Sequence, residues 1–183
     1  MNFIKTEIDG VIIVEPRVFA DNRGYFFESY NKRVFAEGGI DCEFVQDNQS
    51  FSKYGTIRGL HCQLGNSAQA KLVRVLKGKV LDVAVDFRKN SPTFGKHIAV
   101  ELSAENKRQL FIPRGFLHGF SVLSDEAEFC YKCDNFYDKQ AEFGVRVDDV
   151  DLAIDWHVDT TKAEMSEKDK NSISFKDAFN YGF

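Results

Sequence analysis

Between residues 44 and 147 the apolar residues come in short runs, some alternating with polar residues and some unbroken, separated by turn residues. The runs at 56–63, 71–76, 79–87, 97–102, 108–112, 116–123 and 128–137 predict β-strands. Strands of that length and spacing belong to an antiparallel sandwich or barrel. Lys77-Gly78, between two of the runs, predicts a tight hairpin, because glycine takes the positive φ that such a turn demands. Helical patterning lies towards the two ends. Residues 31–37 predict a short helix closed by Gly38-Gly39, and residues 166–178 a C-terminal helix capped by Ser166. With over half the chain in strands and two peripheral helices, the pattern favours an all-β sandwich of jelly-roll type over a Rossmann arrangement.

A length of 183 residues suits one domain with a single large core, so we read 1–183 as one unit, with a β core at about 44–150 and a helical segment at about 160–180. No repeat or low-complexity linker divides it. The 24 Lys and Arg against 28 Asp and Glu leave a formal charge of −4, which provides no basic field for nucleic acid or an anionic membrane. An anionic ligand must therefore be met by a few placed basic residues. The first residues lack the basic-then-apolar pattern of a signal peptide and no run is apolar for long enough to cross a bilayer, which predicts a cytoplasmic protein. Cys42, Cys62, Cys130 and Cys133 have no framework spacing and are expected as free thiols. Cys130-Tyr-Lys-Cys133 has the spacing of half a zinc site, but no second pair exists and strand alternation aims the two thiols at opposite faces.

Several chemistries lack their signatures. There is neither a G-x-G-x-x-G fingerprint nor a P-loop, which speaks against a bound dinucleotide and against P-loop nucleotide hydrolysis, and no G-x-S-x-G elbow for a nucleophilic serine. His61 is followed two positions on by Gln63, so the His-x-His pair with which a small barrel starts a metal site is missing. The expectation is an enzyme without metal or cofactor, working by acid–base chemistry.

The residues for such chemistry are present. Arg58-Gly-Leu-His61 puts a cation, a glycine and a histidine in an apolar strand, and Lys71 shares a strand face with Val73 and Val75. His118 shares a face with Phe116 and Phe120, and Tyr131 with Tyr137. Singly, each reads as core packing or a strand end. Strict alternation sets Arg58 and His61 on opposite faces, so a shared site requires a bulge, which Gly59 permits.

Together with Asp21-Asn-Arg23-Gly-Tyr-Phe-Phe-Glu28-Ser, Phe44-Val-Gln46-Asp47-Asn48, Arg58-Gly-Leu-His61, Lys71-Leu-Val-Arg, the stretch from Asp82 to Gly95, and Pro113-Arg-Gly-Phe-Leu-His118-Gly-Phe, the chain closely resembles the dTDP-4-dehydrorhamnose 3,5-epimerase family over nearly its whole length. The resemblance implies a cupin fold, a double-stranded β-helix jelly roll. It implies His61 as the proton-abstracting base, Tyr131 as the acid on the opposite face of the sugar, Lys71 as the group that stabilises the enolate, and Asp169 as the carboxylate that orients His61. By the same resemblance Arg23, Glu28, Gln46, Asp47, Asn48, Arg58, His118, Glu142 and Lys168 contact the nucleotide sugar, and Tyr137 stacks on thymine. From the residues alone, Ser166-Glu-Lys-Asp169 reads as a capping box.

The family implies a dTDP-4-keto-6-deoxy sugar as substrate, no cofactor, no metal, and a homodimer that exchanges N-terminal strands. The chain departs from the family pattern at Cys62, Arg114, Leu117 and His157. A mono-epimerase, a ketoisomerase and a sugar-nucleotide-binding cupin are the competing readings.

Overall fold

Thirteen strands form in chain order in the computed structural model, which describes residues 1–183: β1 Asn2–Lys5, β2 Ile12–Glu15, β3 Phe19–Asp21, β4 Gly24–Phe26, β5 Gln46–Lys53, β6 Ile57–Gln63, β7 Lys71–Lys77, β8 Lys79–Asp86, β9 His97–Ser103, β10 Gln109–Ile112, β11 Phe116–Val122, β12 Glu126–Cys133 and β13 Glu142–Gly144. One antiparallel sheet has the order β1-β2-β10-β7-β12-β5, and a second has β13-β6-β11-β8-β9. From β5 to β13 the chain crosses back and forth between the two sheets, with only β8 and β9 consecutive in one of them, giving the cupin jelly roll that the sequence suggested. The seven predicted runs correspond in order to β6 through β12.

The structure corrects the prediction in five places. Strands occupy 42% of the chain rather than more than half. β5 is not among the predicted runs, and β1 and β2 extend the first sheet beyond the 44–150 stretch. Lys77-Gly78 does not close a hairpin: β7 pairs with β10 and β12, whereas β8 pairs with β9 and β11, so the turn carries the chain from one sheet to the other. The last run ends at Cys133, which leaves Tyr137 in a loop rather than on the face of Tyr131. The predicted C-terminal helix is two separate turns, α2 Glu167–Lys170 and α3 Phe175–Ala178, each capped by its own serine, Ser166 and Ser174. The first helix, α1 Lys32–Glu37, is as predicted: Asn31 accepts hydrogen bonds from the amides of Arg33 and Val34, and Gly38 closes it.

Packing follows the strand period. On β8, Val80 and Ala84 point between the sheets, while Leu81, Val83 and Val85 point outward into a second cluster with Val147, Trp156 and Phe175. A strand covered on both faces needs no polar alternation, which is why residues 79–87 form an almost unbroken apolar run. A third cluster joins Ile12, Val14, Leu72 and Phe111 on the outside of the six-stranded sheet to Phe35 of α1.

Two local features set up the site. Between β6 and β11, His61 pairs with His118 and Arg58 with Phe120, so three steps on one strand oppose two on the other. That is the required bulge, and it turns Arg58 and His61 to the same side. Gly59 has φ +123°, and a Cβ there would lie 2.6 Å from the Cα of Gly119, so only glycine fits. The second feature is a strap over 164–173, tied to the sheet at both ends by parallel bridges, Thr56 with Glu164 and Val145 with Ile173. α2 lies between these ties.

Candidate active site

A cavity of about 780 Å³ opens between the sheets. Arg58 and His61 of β6 and His118 of β11 line it from the five-stranded sheet, and Asn48 of β5, Lys71 of β7 and Tyr131 of β12 from the six-stranded sheet. Glu142 of β13, and Lys168 and Asp169 of α2, complete the wall. Strand parity accounts for the inward direction: Tyr131 follows the inward Phe129, and Lys71 precedes the inward Val73.

His61 Nε2 donates to Asp169 Oδ1 at 2.6 Å, and the carboxylate is 4% exposed. Asp169 Oδ2 also accepts from the Gly59 amide at 3.4 Å. Burial raises the Asp169 carboxyl pKa, but the hydrogen bond and charge of His61, the Ser166 contact and the Gly59 amide outweigh it, and the net shift is downward. Ser166 accepts from the Asp169 amide as a helix cap does. The return half of a capping box is absent because the Asp169 side chain is spent on His61.

His118 Nε2 contacts both oxygens of Asp82, at 3.1 and 3.0 Å, inside the barrel. Burial lowers the pKa of His118, Asp82 restores part of it, and the charges of Lys71 and His61 lower it again. Burial likewise lowers the Lys71 amine and raises the Tyr131 phenol. The Lys71 ammonium lies 5.8 Å from the centre of the Tyr131 ring.

At the rim, Glu142 joins two elements. Lys168 Nζ lies 2.5 Å from its Oε1, and the Tyr137 hydroxyl donates to its Oε2 at 3.0 Å. Burial pushes Glu142 up, and these partners more than reverse the shift. Tyr137 is linked onward, since its amide donates to Gln46 Oε1 at 3.0 Å and Gln46 Nε2 donates to Asn48 Oδ1 at 3.0 Å. Arg58 is held by Ser52, its Nε donating to Oγ at 3.0 Å.

A model of the dTDP-4-dehydrorhamnose 3,5-epimerase family matches residues 5–177. The chain belongs to that family. It is 58% identical over 179 residues to the dTDP-4-dehydrorhamnose 3,5-epimerase of Shigella flexneri, covering 97% of this chain and 98% of the relative. Among solved structures it resembles the Legionella pneumophila enzyme in complex with dTDP-4-keto-L-rhamnose, with TM-score 0.91, 48% identity, and 96% and 93% of the two chains covered. It also resembles a 3'-monoepimerase from Streptomyces bikiniensis in complex with dTDP-quinovose, with TM-score 0.89, 30% identity, and 96% and 88% covered.

Of the positions carried over from the family, nine line the cavity, and Gln46 and Tyr137 reach it through the hydrogen bonds above. Three do not. Asp47 points to the outer face of β5, where Lys132 Nζ sits 2.8 Å from its carboxylate. Arg23 is in the β3–β4 hairpin and binds its neighbour Asp21 at 2.6 Å, and Glu28 accepts from Asn31 at 3.1 Å. The four departures from the family pattern also stay out of the cavity lining. Cys62 and Leu117 are buried in the outer cluster, Arg114 pairs with Asp134 at 2.8 Å, and His157 is exposed.

Sequence reading missed Ser50, Ser52 and Asp82. The serines continue the inward parity of Gln46 and Asn48, a polar alternation that marks a strand facing a wet cavity. Asp82 stands out as the acid in the middle of the apolar run of β8, away from Asp86 at its end. Cys130 and Cys133 do point to opposite faces of β12, one half-exposed and one buried. No group of three or more His, Cys, Asp or Glu side chains is gathered in a form that could hold a metal ion.

Proposed function

We propose that this chain inverts C3 and C5 of dTDP-4-dehydro-6-deoxy-D-glucose to give dTDP-4-dehydro-L-rhamnose, by removing and returning protons next to the C4 ketone. The observation that carries this reading is that the His61–Asp169 pair and Tyr131 approach one cavity from opposite sheets. Inversion next to a ketone needs a base on one face of the ring and an acid on the other. His61 is the base. Its Nε2 proton is committed to Asp169, so Nδ1 takes the sugar proton and Asp169 stabilises the imidazolium that forms. Tyr131, kept protonated by burial, delivers a proton to the other face.

The enolate places charge on the former carbonyl oxygen, which Lys71 offsets, an effect worth on the order of 3 kcal/mol. Arg58 meets the diphosphate, and Tyr137 at the rim stacks on thymine. The ketone already activates both carbons, so the route calls on no redox cofactor. Sugar nucleotides are intracellular metabolites, which assigns the reaction to the cytoplasm. Incubation with this substrate in D2O, followed by NMR, should show deuterium at both C3 and C5. No exchange would sink the epimerase reading. Exchange at one carbon only would favour a mono-epimerase, the reading supported by the likeness to the Streptomyces bikiniensis enzyme.

The working unit in this proposal is a homodimer in which Arg23 and Glu28 serve the neighbouring site. The β3–β4 hairpin supports it: it pairs with neither main sheet and exposes 51% of Phe19, 61% of Tyr25 and 69% of Phe26. Mixing inactive Arg23→Ala and His61→Ala subunits should restore activity, since one site in each mixed dimer then holds both residues intact. An inactive mixture that contains mixed dimers would refute the exchange.

A further inference from the structure

Asp82 is fully buried between the sheets. Its register partners are Phe120 on β11 and Val100 on β9, and its only side-chain partner is His118, whose Nε2 touches both carboxylate oxygens. An isolated carboxylate in such surroundings is costly without a balancing charge. An ionised Asp82 also requires the proton of His118 to sit on Nε2, which leaves Nδ1 bare in the neutral ring.

Lys71 lines the same cavity as His118, forms no ion pair of its own, and feels the charge of Asp82, which makes it the candidate for the balancing charge. The titratable groups around it are Tyr131 and Cys133 of β12, Cys62 of β6, His118 of β11, Asp82 of β8 and Glu142 of β13, with His61 of β6 lining the same cavity, while its partner on β10 is Ile112. Burial pushes Cys62 up to about 12 and Cys133 up to about 11, so both are neutral thiols at working pH. Glu142 already has the Lys168 ammonium at 2.5 Å. Burial, Lys71 and His61 together hold His118 towards its neutral form. The two charges left to balance each other are Lys71 and Asp82.

The geometry points to Asp82 as a positioning residue of the epimerisation: it holds His118 in the Nε2–H tautomer and supplies the buried anion that keeps Lys71 an ammonium. This rests on the epimerase reading above. Asp82 touches no substrate and acts through its two neighbours.

Asp82→Asn keeps an oxygen for His118 and removes the charge. Lys71, already lowered by burial, then loses its proton at still lower pH, so the alkaline limb of kcat should move down by about one pH unit or more. KM should change little. A purely structural Asp82 would lower kcat equally at all pH values, and that result, or an unmoved limb, overturns the proposal. If D82N does not fold, 15N-labelled wild-type protein decides. His118 must carry its proton on Nε2, and Lys71 must be an ammonium at the pH of maximal deuterium exchange. A proton on Nδ1, or a neutral amine there, overturns it. Wild-type protein that exchanges no deuterium overturns the epimerase reading and this one with it, whereas active wild type with an unmoved D82N limb overturns only the role of Asp82.

Discussion

Replacing Asp169 by asparagine preserves the shape of the side chain and removes its charge where α2 meets β6. Asp169 is 4% exposed and accepts from His61 Nε2 at 2.6 Å, so water cannot replace what is lost. An asparagine amide can also donate to Nε2, and that tautomer puts the imidazole proton on Nδ1, where the base must be empty. Loss of the tautomer together with loss of imidazolium stabilisation is worth about 3–5 kcal/mol, a fall in kcat of roughly 10²- to 10⁴-fold. The fold should survive. The Gly59 contact is long at 3.4 Å, and the Ser166 cap holds the backbone amide of residue 169, a bond that asparagine keeps. The cost to stability is then below about 2 kcal/mol, or roughly 8 °C or less in Tm. The assay is the initial rate of deuterium entry at C3 and C5, measured beside the circular dichroism melt. Asp169→Asn in a His61→Ala background should cost little more, because the two residues act as a unit. A D169N variant that keeps kcat within about tenfold of wild type, or whose activity falls only as fast as its folded fraction, would refute this role of Asp169.

His61→Ala should abolish exchange at both carbons and leave dTDP affinity close to wild type by calorimetry; retained exchange would remove His61 as the base. Tyr131→Phe should lose net inversion while some exchange persists, since a proton can still leave and return on the His61 side, and unchanged product formation by NMR would contradict its role. Gly59→Ala should destabilise the protein by about 2–5 kcal/mol, from the positive φ and from the collision with Gly119, and a melting temperature within about 2 °C of wild type would show that the bulge tolerates a side chain. Asp169 holds its proton more weakly in the folded protein than in the unfolded chain, so its contribution to stability is complete above the ordinary carboxylate range and is lost as pH falls through its lowered pKa. D169N should therefore show a shallower loss of stability than wild type as pH falls below the ordinary carboxylate range, and parallel acid-unfolding curves would count against that linkage.

Much of this protein could be read along the chain, because strand period and turn chemistry are local. The runs that became β6 to β12, the α1 helix with its stop at Gly38-Gly39 and the need for a bulge at Gly59 all follow from neighbours within a few positions. Which sheet a strand joins is not local. Lys77-Gly78 has hairpin chemistry and yet connects two sheets, because β7 and β8 find their partners in β10, β12, β9 and β11. Site function divides along the same line. The residue types for proton transfer and the family motifs are in the sequence, but a capping box at Ser166 and a partner for His61 look identical there, since Asp169 is 108 residues from the histidine it serves. Tertiary folding alone brought the strap onto β6, chose Nε2 as the bonded nitrogen, put Tyr131 across the cavity from His61, and paired the buried Asp82 with His118. Sequence supplied the groups and the strand parity that points them inward. The closing of two sheets decided which groups meet, because that depends on pairings between residues far apart along the chain.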